Sequence, residues 1–136
     1  MLPGEMIFLW PMQLSKILLV DDDENIRTIA LLSLEDDYQV EIATSGQAAL
    51  ALAVKNKPDL ILLDVMMPGL DGKATFEKLQ EIPELAKIPV VFMTAKVQTH
   101  EIDFYLKLGA AGVITKPFDP MTLAGDVQNI WAAWAG

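Results

Sequence analysis

The stretch Asp59-Leu60-Ile61-Leu62-Leu63-Asp64-Val65-Met66-Met67-Pro68-Gly69 decides the fold of this chain. Its run of four apolar residues, 60–63, is typical of a strand buried on both faces, as in parallel sheets. Asp64 follows at the carboxyl end of that strand, and Pro68-Gly69 predicts a turn soon afterwards. Ligand clefts of open α/β sheets lie outside the carboxyl ends of the strands, so Asp64 is a candidate site residue.

Three further apolar runs end in chemically useful residues. Residues 17–20 precede Asp21-Asp22-Asp23, residues 90–93 precede Thr94, and residues 113–115 precede Lys116-Pro117. The carboxyl ends of parallel strands meet at one edge of a sheet. We therefore expect carboxylates, a hydroxyl and an ammonium to share that edge.

Helical patterns alternate with the strands. The predicted strands are 15–20, 38–43, 60–64, 90–94 and 113–115, and the predicted helices are 24–36, 47–55, 72–81, 99–108 and from Pro120 to the end. Ile29 in the first helix, Leu106 in the fourth and Trp134 in the last are expected to pack inward, whereas Phe104 falls off the apolar stripe. Five strands alternating with five helices predict an α/β doubly wound parallel sheet.

Composition narrows the possible functions. The chain has 136 residues, of which 52% are hydrophobic, and these values fit one domain with a real core. Its net charge of −9 argues against direct binding to nucleic acid. The absence of cysteine excludes disulfides, and with only one histidine, His100, the composition argues against the usual zinc sites. No apolar run reaches the length of a membrane span.

Residues 1–14 are predicted to be an N-terminal tail that precedes one domain at 15–136. The apolar segment 6–10 lacks the basic start and the length of a signal peptide. A loosely docked tail is the plainer interpretation, and an arm that docks on a partner through Phe8 and Trp10 is the sharper one. Since the chain ends with the fifth predicted helix, we expect no output domain.

The acidic residues suggest phosphoryl chemistry when they are considered together. If the first and third strands are neighbours, Asp21, Asp22 and Asp64 crowd like charges, which favours a bound cation such as Mg²⁺. Asp64 is then a possible nucleophile toward phosphorus, with Lys116 and Thr94 as contacts for the phosphoryl oxygens. Each residue alone has a plainer interpretation, as a helix cap, a turn residue or a solvated side chain. Those interpretations do not explain why all of these residues lie at the carboxyl ends of predicted strands.

Four motifs carry a family resemblance over residues 15–134. They are Leu19-Val20-Asp21-Asp22-Asp23, the stretch 63–72 from Leu63-Asp64 to Asp71-Gly72, Met93-Thr94-Ala95-Lys96, and Lys116-Pro117-Phe118. In this order and spacing the chain resembles the receiver domain of response regulators in two-component signalling. The resemblance implies a flavodoxin-like sheet of strand order 2-1-3-4-5.

The resemblance also implies roles for individual residues. Asp64 would be the phosphoacceptor, and Thr94 and Lys116 would contact the phosphoryl group. Mg²⁺ would be held by Asp22, Asp64 and the main-chain carbonyl of Met66, with Asp21 acting mostly through water. The donor would be a phosphohistidine on a sensor histidine kinase or a histidine phosphotransfer protein, in the cytoplasm. Such a protein catalyses its own phosphorylation and dephosphorylation and is not otherwise an enzyme.

Two positions depart from the family. Val113 stands where most receivers carry an aromatic residue that reorients on phosphorylation, so we expect a muted or rerouted switch. Met66 lies two residues after the phosphosite, and its side chain offers little hydrogen bonding to a hydrolytic water. We expect it to influence the lifetime of the phosphoryl group mainly through its bulk. Output is expected from the face of the fourth and fifth predicted helices, with Phe104 as its exposed anchor.

Several functions compete at this stage. The leading one is a single-domain response regulator that serves as a phosphorylation-controlled binding module or a phosphorelay shuttle. An aspartyl-phosphate phosphatase would usually carry a second Asp at the position of Met66, and a flavin carrier would need a hydroxyl-rich loop in place of Asp21-Asp22-Asp23. A receiver-like scaffold that takes no phosphate remains the alternative.

Overall fold

Five parallel strands and six helices form the structure, a computed structural model that describes residues 13–95 and 98–135. The strands are β1 Lys16–Val20, β2 Gln39–Ala43, β3 Leu60–Asp64, β4 Val90–Thr94 and β5 Gly112–Thr115. The helices are α1 Glu24–Leu34, α2 Gly46–Asn56, α3 Gly72–Glu81, α4 Pro83–Ala86, α5 Thr99–Leu108 and α6 Leu123–Ala135. The order β2-β1-β3-β4-β5 confirms the predicted fold class.

The core lies on both faces of the sheet because successive strand residues point to opposite sides. Ile17 and Leu19 of β1 pack with α1 and α6, in a cluster that contains Leu34 and Trp131. The neighbouring residues of β1 pack on the other face, against α2, α3 and α4. All five residues of β3 are buried, as the central apolar run predicted. Among the described residues, no helix has both the length and the apolar character needed to cross a membrane.

Three helices begin at N-cap residues whose side chains accept backbone hydrogen bonds. Asp23 caps α1, since its Oδ1 accepts hydrogen bonds from the backbone N–H groups of Asn25 and Ile26. Ser45 caps α2 through Ala48 N–H, and Asp71 caps α3 through Ala74 N–H. These caps fix where each helix leaves the carboxyl edge of the sheet.

Some boundaries differ from the sequence prediction. The interval between the predicted helix 72–81 and the predicted strand 90–94 contains the short helix α4, which begins at Pro83. The last helix begins at Leu123 rather than at Pro120, because Asp119 first closes a turn in which its Oδ1 accepts a hydrogen bond from Met121 N–H.

Three apolar side chains predicted to face inward are exposed instead. Helix α1 buries Ala30 and Leu34, which are four residues apart, whereas Ile29 is 41% exposed. Leu106 lies similarly outside the stripe of α5. Trp134 contacts Trp131 at a centroid distance of 5.6 Å but remains 47% exposed.

The ends of the predicted domain are described only in part. Leu14, which the sequence analysis assigned to the tail, is buried in the core cluster on the α1 side. The segment 6–10, with Phe8 and Trp10, lies outside the described residues, as does Lys96.

Helix α3 approaches the backbone after β3 so closely that its first residue must be glycine. A Cβ atom added at Gly72 would lie 2.8 Å from Val65 Cα and closer still to the Asp64 carbonyl oxygen. The obstructing atoms belong to the backbone, so relief requires that the loop carrying Asp64 moves. Gly125 in α6 offers a contrast, since a Cβ there meets nothing within 4 Å.

We expect Gly72→Ala to lower the free energy of unfolding by about 1–3 kcal/mol, because the added methyl group overpacks a backbone contact. Urea unfolding monitored by circular dichroism measures the change. The matched variant Gly125→Ala should be stabilised by about 0.5 kcal/mol, since alanine has the higher helix propensity. Equal stability of Gly72→Ala and the parent would show that the loop after β3 yields without cost.

Candidate functional site

The sheet register brings the predicted site residues to one edge. Val20 pairs with Leu63, so Asp21 and Asp64 are the next residues of two neighbouring strands. Asp64 pairs with Met93, and Thr94 follows as the last residue of β4. Across the next pair of strands, Lys116 N–H donates a hydrogen bond to the Thr94 carbonyl oxygen at 2.8 Å.

Lys116 joins the two buried carboxylates. Its Nζ lies 2.8 Å from Asp21 Oδ2 and 2.9 Å from Asp64 Oδ1. Asp21 is fully buried and Asp64 is 4% exposed, so the ammonium supplies the positive charge that these desolvated groups need. The Lys116–Pro117 peptide bond is cis.

Burial and the neighbouring Lys116 shift the pKa of Asp64 in opposite directions. Desolvation is the largest influence and raises the pKa of this carboxyl, and the neighbouring Asp21 raises it further. The hydrogen bond and the charge of Lys116, with a weaker backbone hydrogen bond from Met66, lower it. The net direction is upward, so the folded protein holds the Asp64 proton more tightly than an exposed aspartate does.

Lys116 shows the complementary effect. Burial alone would lower the pKa of its ammonium, but the hydrogen bonds and charges of Asp21 and Asp64 outweigh that influence and raise it. The ammonium therefore stays charged throughout the physiological pH range, as a contact for anionic oxygens requires.

The three acidic residues can approach a common point. Asp21, Asp22 and Asp64 each offer a carboxylate oxygen, and these oxygens lie within 4.8 Å of one another. Both oxygens of Asp21 already accept hydrogen bonds, Oδ2 from Lys116 and Oδ1 from Asp23 N–H. Asp22 is exposed, which leaves its carboxylate available to a solvent-borne cation.

The remaining predicted site residues lie around this group. Thr94 is buried at the end of β4. Met66 donates its backbone N–H to Asp64 Oδ1 at 3.3 Å, and its side chain is 71% exposed. His100 is exposed on α5.

Two further contacts were missed in the sequence analysis. Arg27 Nη1 donates a hydrogen bond to the Asp21 carbonyl oxygen at 3.0 Å, which ties α1 to the loop after β1. Asp59 Oδ2 accepts hydrogen bonds from the N–H groups of Ser15 and Lys16 and so fixes the start of β1. No local pattern marks either contact, since each depends on a neighbour that only the fold provides.

The fold and this edge define a class of protein: a flavodoxin-like α/β domain with an acidic cluster and one lysine at the carboxyl ends of its strands. The family model for the response regulator receiver domain matches residues 17–128. The chain belongs to this family, whose members are the receiver domains of two-component systems.

Individual relatives agree with this assignment. The chain is 40% identical to the response regulator PleD of Caulobacter vibrioides over 117 residues, which are 85% of this chain and 26% of that protein. It is 40% identical to the alkaline phosphatase synthesis transcriptional regulatory protein PhoP of Bacillus subtilis over 116 residues, which are 85% of this chain and 48% of PhoP. The chain thus spans half or less of the length of these curated relatives.

A solved structure shows the same architecture. The chemotaxis response regulator CheY4 of Vibrio cholerae superposes with a TM-score of 0.80 at 32% identity, covering 87% of this chain and 99% of that one. Receiver domains of this family accept a phosphoryl group on an aspartate, bind Mg²⁺ at an acidic pocket and interact with histidine kinases or phosphotransfer proteins.

The raised pKa of Asp64 has a consequence for stability. A carboxyl whose pKa is raised by folding stabilises the fold at low pH, and that contribution is lost as the pH rises through its folded value. We therefore expect the free energy of unfolding of the parent, minus that of Asp64→Asn, to fall as the pH rises from about 3.9 toward neutrality. Urea titrations of both proteins in EDTA-containing buffer measure this difference. A difference that grows with pH would mean that Lys116 outweighs desolvation.

Proposed function

We propose that this protein acts as a response-regulator receiver that takes a phosphoryl group onto Asp64. The observation that carries the proposal is the unequal use of the two Asp64 oxygens. Oδ1 accepts hydrogen bonds from Lys116 and Met66 N–H, whereas Oδ2 has no hydrogen-bond partner within residues 13–95 and 98–135. One oxygen is held in place and the other is available to attack phosphorus.

The transfer requires one bond to form and one to break. Asp64 Oδ2 attacks the phosphorus of a phosphohistidine, a P–O bond forms to the carboxylate, and the P–N bond breaks. The electron pair of that bond returns to the imidazole nitrogen of the donor. Because the transferring group carries its negative charge on its outer oxygens, catalysis depends on positioning and charge neutralisation. Lys116 contributes an ammonium and Thr94 a hydroxyl donor.

The acidic cluster fits a magnesium ion. Its donors are hard carboxylate oxygens from three residues that the fold has already brought together, which is the ligand type that Mg²⁺ prefers. Asp22, Asp64 and the main-chain carbonyl of Met66 would hold the ion, with Asp21 acting through water because Lys116 and Asp23 already occupy its oxygens. When bound, Mg²⁺ neutralises charge on the phosphoryl oxygens.

The partners follow from this role. The donor is a sensor histidine kinase or a histidine phosphotransfer protein, and the reaction takes place in the cytoplasm. We propose that residues 15–136, together with Leu14, whose side chain lies in the core, act as one receiver unit, and that a downstream protein binds the face of α5 and α6. Phe104, 46% exposed on α5, supports that choice as an apolar anchor.

Phosphorylation of Asp64 can be tested directly. Incubation with acetyl phosphate and Mg²⁺ should add one phosphoryl group to the parent, as measured by intact mass spectrometry, and none to Asp64→Asn. Lys116→Met should accept the group far more slowly, because the ammonium that contacts its oxygens is gone. An unmodified parent that nevertheless binds Mg²⁺ would favour the receiver-like scaffold that takes no phosphate.

A second prediction concerns the metal. Mg²⁺ should raise the free energy of unfolding by about 1.4 kcal/mol for each tenfold rise in free ion above its dissociation constant. Thermal or urea denaturation across a magnesium titration measures the effect. Asp22→Asn should weaken it markedly, because an available carboxylate is lost.

The matched control for that titration is Asp36→Asn. Asp36 is an exposed acidic residue in the turn after α1, which lies at the amino-end side of the sheet. This variant should respond to Mg²⁺ like the parent. If both variants lost the response equally, the ion would be acting through general screening of the net charge.

A further inference from the structure

Tyr105 stands where α5 meets the loop that follows Asp64. Two clefts open at this junction, and Val65, Met66 and Tyr105 line both of them. One cleft, of about 540 Å³, extends toward Pro68 and Asp71, and the other, of about 290 Å³, extends toward His100 and Phe104. Tyr105 therefore borders two spaces, and both of them also border Val65 and Met66, which follow the phosphoacceptor.

The ring also belongs to a row of aromatic side chains. Tyr105 contacts Phe92 at a centroid distance of 4.8 Å and Phe104 at 5.2 Å, edge to face. Phe92 is buried in β4 two residues before Thr94, so the two side chains point to the same side of the sheet. The row connects the strand that ends in Thr94 to a side chain on the protein surface.

Tyr105 is held by packing alone. Within the described ranges its hydroxyl has no hydrogen-bond partner. Partial burial raises the pKa of Tyr105, and the charges of Glu101 and Asp71 raise it further, so the phenol stays neutral. A half-buried ring with an unbonded hydroxyl and space on either side can change its position at low cost.

Helix α5 is itself weakly anchored. None of its ten residues is fully buried, whereas α3, of equal length, buries four. Gln98, at its N-cap position, makes no side-chain capping hydrogen bond. Elements with few buried contacts occupy the low-stability end of a fold, where small free-energy changes shift their position.

The backbone of Met66 links Asp64 to this junction. Its N–H donates to Asp64 Oδ1, which is a carboxylate oxygen in the free protein and would become the carbonyl oxygen of an acyl phosphate after transfer. A carbonyl oxygen is the weaker acceptor, since it has lost the charge that strengthens the hydrogen bond. The backbone at 65–66, which lines both clefts together with Tyr105, would then be released from its present position.

We infer that Tyr105 is the positioning residue that couples phosphorylation of Asp64 to α5. Release of the 65–66 backbone moves its ring between the two clefts, and Phe104, in edge contact with it, moves with the helix. This route needs no aromatic residue at position 113, where the chain has Val113. It rests on the proposed function, because the signal is the phosphoryl group on Asp64.

The two tyrosines of the chain provide a direct test. In the protein labelled with fluorotyrosine, phosphorylation by acetyl phosphate and Mg²⁺ should shift the Tyr105 fluorine resonance by more than its line width. Tyr38 is the internal control, since it lies on the α6 side of the sheet, with its hydroxyl 3.3 Å from the Ala124 carbonyl oxygen. Its resonance should stay in place, and Tyr38→Phe assigns the two signals.

Variants then test whether the ring carries the coupling. Amide hydrogen exchange across 99–108 should differ between the free and phosphorylated parent. The difference should persist in Tyr105→Phe, which keeps the ring, and should be lost in Tyr105→Leu, although intact mass shows equal phosphorylation of all three. A merely structural role for the ring would change exchange in both states alike and leave the difference intact.

The outcomes separate the two hypotheses. Absence of a phosphoryl adduct on the parent would overturn the proposed function and this inference with it. Full phosphorylation with an unmoved Tyr105 resonance would overturn the inference alone, and so would an exchange difference that survives in Tyr105→Leu. The resonance of the parent needs no substitution at position 105, so poor folding of a variant cannot mask the result.

Discussion

Two buried carboxylates that share one ammonium are the constraint on which this structure depends. Asp21 and Asp64 lie at the ends of neighbouring strands and would repel each other in a dry environment without Lys116, which arrives from the far side of β4. The three side chains belong to three strands, so their contact requires that the whole sheet closes in the correct order. The site and the fold therefore stabilise each other, and the cost of burying charge is met by the geometry that function uses.

The same constraint explains the strand order. Placing β1 between β2 and β3 puts the topological switch of the sheet beside Asp21 and Asp64, which is where open α/β sheets bind their ligands. β2 ends in residues that cannot be ionised and lies at the edge, away from the cluster. Gly72 lets α3 approach the backbone of Asp64 from the other side, so the loop that carries the carboxylate is confined between a helix and the sheet.

The strands and the convergence of their ends could be predicted because both depend on local patterns. Four apolar runs, each followed by a polar residue, determine which residues reach the edge, and short-range caps at Asp23, Ser45 and Asp71 determine where the helices start. The errors in predicted burial and the missed contact have non-local causes. Whether Ile29 or Leu106 is buried depends on how far the neighbouring helices extend over the sheet. The hydrogen bond of Arg27 to the Asp21 carbonyl oxygen has no signature in spacing, since it depends on where a loop passes.

Family membership alone does not explain how this chain responds to phosphate. A valine at position 113 cannot reorient as a ring does, and yet the chain has an aromatic row from β4 to the surface of α5. The absence of a ring at position 113 and the presence of this row are connected if signalling needs a movable bulky side chain beside the phosphoacceptor. Either β5 or α5 could supply that side chain. Tyr105 meets that physical requirement because it borders two clefts, shares their lining with the loop after Asp64 and lies on a helix with no fully buried residue. A receiver can thus keep the same phosphoryl chemistry at the sheet edge while a different helix or strand transmits the structural change to the surface.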